Sequence, residues 1–97
     1  MFVDLSFFAV AEGHAEDYEA AFAPIVARAA EAPGCLSSEL VRLTEEGRYC
    51  WVERWVSREA HLEFNEFLFG ELLPGIPQLN DIVTRLVERD AEGMLVR

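Results

Sequence analysis

Basic residues are scarce in this sequence. Its 97 residues include 8 lysine or arginine residues against 18 aspartates and glutamates, which gives a formal net charge of −10. This charge opposes binding to a nucleic-acid backbone and to an anionic membrane surface, so we predict no nucleic-acid partner and no membrane partner. The acidity favours solubility and does not by itself indicate a substrate.

The sequence also has few cysteines and no long apolar run. Cys35 and Cys50 match no metal-binding spacing. A reducing cytosol would keep them as thiols, and we expect them to fill small apolar spaces. No run is long enough to span a membrane, and residues 1–10 lack the basic start of a signal peptide. We therefore expect a cytoplasmic protein.

Motifs for common cofactors are missing as well. There is no P-loop, no dinucleotide-binding fingerprint and no metal-spaced set of His, Cys, Asp and Glu residues, so we predict no cofactor and no metal. Apolar residues, in contrast, make up 52% of the chain. A small domain cannot bury all of them, so we expect residues 1–97 to form a single domain that associates as a homodimer.

The stretch 47–64 organises the rest of the chain. Its first half alternates as a strand does, and one face carries three aromatic rings around one carboxylate. These residues are Tyr49, Trp51, Glu53 and Trp55. Such a cluster fits a functional site, or a core floor in which an arginine or a backbone amide satisfies Glu53. Aromatic strands usually form core, which favours the second interpretation.

Periodic apolar positions predict six elements in the order strand, helix, strand, strand, helix, strand. The expected ranges are 2–10, 14–30, 36–43, 48–56, 58–67 and 80–88. This order is the ferredoxin-like βαββαβ arrangement, an α+β fold with a four-stranded antiparallel sheet and both helices on one face. After it, residues 90–93 are expected to form a turn and 94–97 a short strand on a neighbour's edge.

The first strand has two different faces. One is wholly apolar and is expected to face the helices: Val3, Leu5, Phe7 and Ala9. The other mixes aromatic and polar residues, which suits a second, partly polar cavity: Phe2, Asp4, Ser6 and Phe8. The apolar segment 69–77, broken by proline and glycine, predicts a lid or a docking role.

Two sequence segments carry a family resemblance. EAPGCLSSEL after the first helix and YCWVERWVSREAH after the hairpin, together with the element order, resemble the antibiotic biosynthesis monooxygenase domain over about residues 2–88. The resemblance implies a dimeric α/β barrel in which two sheets pack face to face. Members of this family include cofactor-independent oxygenases of anthrones and quinols and haem-degrading enzymes.

The resemblance also bears on individual positions. Trp55 matches the family's tryptophan, which lines the pocket of haem-degrading members, and Glu53 matches a strand carboxylate that is often structural. The register of the family's histidine holds Phe64, and His61 lies three residues earlier. Ser6 stands where haem-degrading members have asparagine. Two of the three haem-associated positions are therefore altered, which disfavours haem degradation.

These observations predict a cofactor-independent monooxygenase. It would oxidise a small, hydrophobic, electron-rich aromatic of anthrone or quinol type in an apolar cleft. The expected catalytic base is His61, or Asp4 with a pKa raised by burial. The expected substrate-binding residues are Trp55, Trp51, Phe8, Phe64, Phe67, Ser6, Tyr49 and Asn65. The alternatives are an exposed His61, Trp55 as core filler, and a non-catalytic dimeric module that binds a small ligand or a partner.

Overall fold

A computed structural model describes the backbone of residues 1–97 and the side chains of residues 1–80, 82–83 and 89–97. The strands are β1 (Phe2–Val10), β2 (Cys35–Arg42), β3 (Arg48–Trp55) and β4 (Val83–Met94). The helices are α1 (Ala15–Ala30), α2 (Arg58–Phe67) and α3 (Leu79–Ile82), and a π-helical turn, Leu68–Leu72, follows α2. None of the described helices is long and apolar enough to cross a membrane.

The strands form one antiparallel sheet in the order β2-β3-β1-β4. This is the ferredoxin-like order, so the predicted α+β fold is confirmed. The residues of α1 that spacing assigned to its apolar stripe are all buried, as a helix that covers a sheet requires. They are Tyr18, Phe22, Ile25, Val26 and Ala29.

The face of β3 that carries aromatic rings is buried as predicted. Tyr49, Trp51, Glu53 and Trp55 are each no more than 3% exposed. Phe22 of α1 packs edge-on against Trp51, with 5.3 Å between ring centroids. Both cysteines are free thiols, as expected.

The prediction for the faces of β1 is wrong. The mixed face, Phe2, Asp4, Ser6 and Phe8, lies buried beneath the helices. Its phenylalanines find ring partners there: Phe8 lies 5.0 Å from Phe22 and Phe2 lies 5.4 Å from His61, centroid to centroid. These contacts bring Asp4 and Ser6 inside as well. The wholly apolar face is left on the open side of the sheet, where Val3, Leu5 and Phe7 are half-buried and Ala9 is buried.

The C-terminal part also differs from the prediction. Residues 79–82 are helical rather than strand, and β4 continues through the expected turn at 90–93. That segment pairs with β1 residue by residue, from Asp90 opposite Ser6 to Gly93 opposite Val3. Backbone hydrogen bonds from β1 outweigh the local turn signal. Met94 ends β4, and 95–97 form no strand of their own.

The junction between β3 and α2 is held by a cap and a close backbone approach. The Ser57 hydroxyl accepts a hydrogen bond from the Ala60 amide, so the predicted N-cap is confirmed. Gly34, with φ +84°, passes directly beneath α2: a Cβ there would lie 2.7 Å from the Cβ of Ala60. Gly34 therefore sets how closely α2 approaches the sheet.

A pair of glycine substitutions isolates this approach. Gly13→Ala places alanine at a similar φ of +82° with no atom within 4 Å of the new Cβ. It should cost only backbone strain, about 1–2 kcal/mol of unfolding free energy. Gly34→Ala should cost the same strain plus about 1–3 kcal/mol of overpacking. Urea unfolding measures the difference, and equal losses in the two variants would show that α2 does not depend on this contact.

Candidate functional site

A cavity of about 270 Å³ lies between the sheet and the helices. Its walls combine apolar and polar side chains from six segments of the chain. The apolar ones are Phe8, Phe22, Trp51, Leu68, Phe69 and Leu73, and the polar ones are Asp4, Ser6, Glu53, His61, Asn65 and Asp90. Phe69 and Asp90 are exposed, so the mouth of the cavity lies at these residues. Its size suits a small aromatic ligand.

Strand register brings the polar residues together. Asp4 and Ser6 alternate on β1, and they lie opposite Glu53 and Trp51 of β3. On the other side of β1, Asp90 of β4 lies opposite Ser6. Three strands thus place three carboxylates side by side on one face of the sheet. The first turns of α2 hold His61 above this row.

His61 lies between two buried carboxylates. Its Nε2 is 3.8 Å from Oδ2 of Asp4, and its Nδ1 is 3.7 Å from Oε1 of Glu53. Asp4 and Glu53 are each 2% exposed and His61 is 4% exposed. The side-chain amide of Asn65 lies 3.3 Å from Nε2. A carboxylate therefore faces each nitrogen of the imidazole, and the side-chain nitrogen of Asn65 lies beside Nε2.

Hydrogen bonds fix the carboxylates but leave two atoms unpaired. The Ser6 hydroxyl lies 3.1 Å from both Asp4 and Asp90, and its one proton can serve only one of them. The Trp55 indole donates to Glu53 across 3.2 Å. Asp4 Oδ1 and His61 Nδ1 are buried without a hydrogen-bond partner. Both residues line the cavity.

Burial controls the protonation of this cluster. It raises the pKa of Asp4 to about 7, with help from the charges of Asp90 and Glu53 and against the opposing effects of His61 and Ser6. Burial disfavours a charged His61, but Glu53, followed by Asp4 and Asp90, outweighs it and raises the pKa of the imidazole. The site therefore contains an acid that titrates near neutral pH beside an imidazole that favours its charged form.

Six of the ten predicted site residues line this cavity: Asp4, Ser6, Phe8, Trp51, His61 and Asn65. His61 is buried, so its interpretation as an exposed helix residue is wrong. The partner of Glu53 is neither an arginine nor a backbone amide but the indole of Trp55. The segment expected to form a lid or docking surface contributes Phe69 and Leu73 to the wall.

The other four predicted residues lie elsewhere. Trp55 is fully buried behind Glu53 and orients it. Phe64 and Phe67 line a separate hollow beside Arg28, whose guanidinium lies 5.1 Å from the Phe67 ring centroid. The Tyr49 hydroxyl donates to Glu19 near the protein surface. Phe64, in the histidine register, offers no ligand to a haem iron.

Sequence reasoning missed several members of the site. The sequence points to Glu53 as a possible site carboxylate, because it shares a face of β3 with Trp51, but Glu53 is not among the catalytic or substrate-binding residues expected from it. Asp90 carried no local signal and was assigned to a turn. The sequence spacing of these residues also does not predict how close they lie. Asp4, Glu53 and His61 offer one potential metal ligand atom each, and these atoms lie within 4.8 Å of one another.

The raised pKa of Asp4 predicts a pH-dependent stability difference. Its ordinary pKa is 3.8 and its folded value is about 7, so the folded state loses stability as pH rises through this range. Asp4→Asn removes this cost while His61, Glu53 and Asp90 still face the position from α2, β3 and β4. At about pH 8 the melting temperature of the variant should exceed that of the wild type. The difference should be smaller at about pH 5. A pH-independent gap in melting temperature would contradict the burial of a titrating Asp4.

Solved structures show the same fold at low sequence identity. A protein from Nitrosomonas europaea assigned to the antibiotic biosynthesis monooxygenases matches with a TM-score of 0.85 and 13% identity, over 100% of both chains. Rv0793 from Mycobacterium tuberculosis matches with a TM-score of 0.77 and 18% identity, over 99% of this chain and 95% of its own. PA3566 from Pseudomonas aeruginosa matches with a TM-score of 0.71 and 22% identity, over 99% of this chain and 92% of its own.

Comparison of the sequence with curated proteins and with family profiles identifies the family. No curated protein sequence matches this chain significantly. The sequence profile of the family described as "Antibiotic biosynthesis monooxygenase" matches residues 1–66, which include β1, α1, β2, β3 and most of α2. These are the elements that supply most of the cavity's polar residues. The chain belongs to the antibiotic biosynthesis monooxygenase family.

Proposed function

We propose that this protein is a cofactor-independent monooxygenase that oxidises a small, electron-rich hydroxyaromatic of anthrone or quinol type. One observation carries the proposal: Asp4 and His61 line the cavity, and each has a buried side-chain atom without a hydrogen-bond partner, Oδ1 and Nδ1. Buried polar atoms without partners are rare in folded proteins. A substrate hydroxyl or enol in the cavity would pair with both.

The first step is removal of a proton from the substrate. An efficient base has a pKa near the working pH, and burial gives the Asp4 carboxyl such a value. As the proton moves to Asp4, negative charge develops on the substrate oxygen. The His61 imidazolium beside Asp4 stabilises this charge. Asp4 and His61 thus act as a pair, the first as base and the second as electrostatic partner.

The second step uses O₂ as the only oxidant. The substrate anion transfers one electron to O₂, and the two radicals combine to form a C–O bond. The peroxide then takes up the proton from Asp4. Its O–O bond breaks as the remaining hydrogen on the oxygenated carbon leaves as a proton. The products are a carbonyl and water. Written for the keto tautomer of the substrate, the overall balance is R₂CH₂ + O₂ → R₂C=O + H₂O. Every electron that reduces O₂ comes from the substrate.

The apolar wall provides the environment for this chemistry. Phe8, Phe22 and Trp51 present rings to the cavity, and Phe69 stands at its mouth. Rings of this kind stack against an aromatic substrate and exclude water from the anion. The cavity volume of about 270 Å³ suits a small fused-ring aromatic rather than a large ligand.

The proposed assembly is a homodimer. Val3, Leu5 and Phe7 form an apolar row on the face of the sheet that carries no helices. A second copy packed on this face would bury the row and would form the α/β barrel expected from the family resemblance. The cavity lies on the opposite face of the sheet, so each chain of the dimer would keep its own site.

A non-catalytic binding module is the second candidate. The observation that favours it is Phe64 in the register where the family often has histidine, because phenylalanine cannot transfer a proton. This candidate predicts that the cavity binds hydroxyaromatics without consuming O₂.

Oxygen uptake by chelator-treated protein tests the proposal. The assay uses a panel of naphthols, naphthoquinols and anthrones, and His61→Gln and Asp4→Asn should each lower kcat/KM by about 10²- to 10⁴-fold. His14→Gln is the matched control, since His14 lies at the N-terminus of α1 outside the cavity. Uptake that is unchanged in both site variants would contradict the assigned roles. Ligand binding without uptake would support the binding module instead.

Isotope labelling tests the stoichiometry. With ¹⁸O₂, the new carbonyl should contain one labelled oxygen, and one O₂ should be consumed per product. Formation of hydrogen peroxide with unlabelled product would contradict a monooxygenase and would indicate simple oxidase chemistry.

A further inference from the structure

We propose that Asp4, Glu53 and His61 form a binding site for one divalent first-row transition-metal ion, with Zn²⁺ as its representative. The inference goes beyond the proposed function and does not depend on it, because it rests on the arrangement of side chains in the ligand-free protein. Two carboxylates and one imidazole are a donor set that suits Zn²⁺, Fe²⁺ or Mn²⁺.

The distances are close to those that an ion needs. One ligand atom from each residue lies within 4.8 Å of the others. Two atoms that bind one ion at about 2.0–2.2 Å can be at most about 4.4 Å apart. The Nδ1 of His61 and Oε1 of Glu53, at 3.7 Å, already satisfy this limit. Ligand atoms of a tetrahedral ion at these bond lengths are about 3.4 Å apart, so binding would draw the three side chains closer together.

Unpaired buried atoms point to an occupant. Asp4 Oδ1 and His61 Nδ1 make no hydrogen bond, although Asp4 and His61 are 2% and 4% exposed. Among the described side chains, His61 alone acts on the Asp4 carboxyl as a positive charge, while Asp90 and Glu53 act on it as negative charges. An ion bonded to Oδ1 and Nδ1 would satisfy both atoms and balance the excess negative charge.

Each of the three ligands is oriented by a neighbour. Ser6 holds Oδ2 of Asp4, which leaves Oδ1 for the ion. The indole of Trp55 donates to Glu53 and fixes its carboxylate. The side-chain nitrogen of Asn65 lies 3.3 Å from Nε2 of His61 and holds the ring in place. Rotation of this amide by about 180° would let its oxygen accept the Nε2 proton and would leave the Nδ1 lone pair for the ion. Outer partners of this kind accompany the ligands of natural metal sites.

The position of the site has a chemical consequence. Three protein ligands at the wall of a cavity leave coordination positions open to water or to a ligand hydroxyl. The ion would also occupy the atom that accepts the substrate proton in the proposed reaction. We therefore expect Zn²⁺ to compete with the use of Asp4 as a base and to inhibit oxygen uptake.

Zinc titration of the chelator-treated full chain tests the inference. Calorimetry should show one tight Zn²⁺ site per chain. His61→Gln and Asp4→Asn should each weaken it by about 100-fold or more, whereas His14→Gln should bind as the wild type does. Circular dichroism confirms that each variant is folded. Absence of a stoichiometric site would overturn the inference. Equal affinity in all variants would also overturn it, because the ion would then bind elsewhere, for example to surface carboxylates.

A spectroscopic readout identifies the ligands directly. Co²⁺ bound at this site should give visible absorption bands that His61→Gln abolishes and His14→Gln retains. Bands that persist without the His61 imidazole would contradict the assignment. The two proposals fail separately: oxygen uptake without a zinc site overturns only the metal inference, and a zinc site in a protein that consumes no O₂ overturns only the monooxygenase.

Discussion

The burial of Asp4 and Glu53 on either side of His61 is the constraint on which the rest of the structure depends. Isolated buried charges are costly, so the carboxylates are tolerable only where an imidazole, a hydroxyl and an indole lie against them. His61 reaches the carboxylates from α2, which packs closely on the sheet at Gly34, and the ring contacts of Phe2 and Phe8 hold the mixed face of β1 inward. The cavity is the space that remains between this polar cluster and the aromatic residues of α1 and β3.

The same arrangement connects stability with chemistry. Asp4 has a raised pKa because burial disfavours its charge, and a group of this kind is destabilising at neutral pH yet useful as a proton acceptor. Destabilising groups of this kind are typical of functional sites, where local sequence preferences are often violated and the lost stability is compensated elsewhere. The packing of Phe8, Tyr18, Phe22 and Trp51 supplies compensating apolar burial.

Sequence patterns predicted the fold better than the site. The 3.6-residue spacing of Tyr18, Phe22 and Ile25 and the alternation at Tyr49–Trp55 are local signals, and the structure confirms both. The inward face of β1 was not predictable from β1 alone, because it depends on ring partners supplied by α1 and α2. Asp90 was missed because strand pairing with β1 overrides the turn signal around it. Trp55, Phe64 and Phe67 were expected in the cavity because a pocket wall and a core have the same composition.

The central claim is that His61 is held in its charged form between buried carboxylates beneath the cavity. Long-range ¹H–¹⁵N spectra of the metal-free protein at pH 6.5 measure it directly, since an unperturbed imidazole is about half protonated there. We predict that the imidazolium dominates for His61 and that its fraction falls in Glu53→Gln, because Glu53 contributes most to the raised pKa of His61. A mainly neutral ring in the wild type, or an unchanged protonated fraction in the variant, would contradict the account.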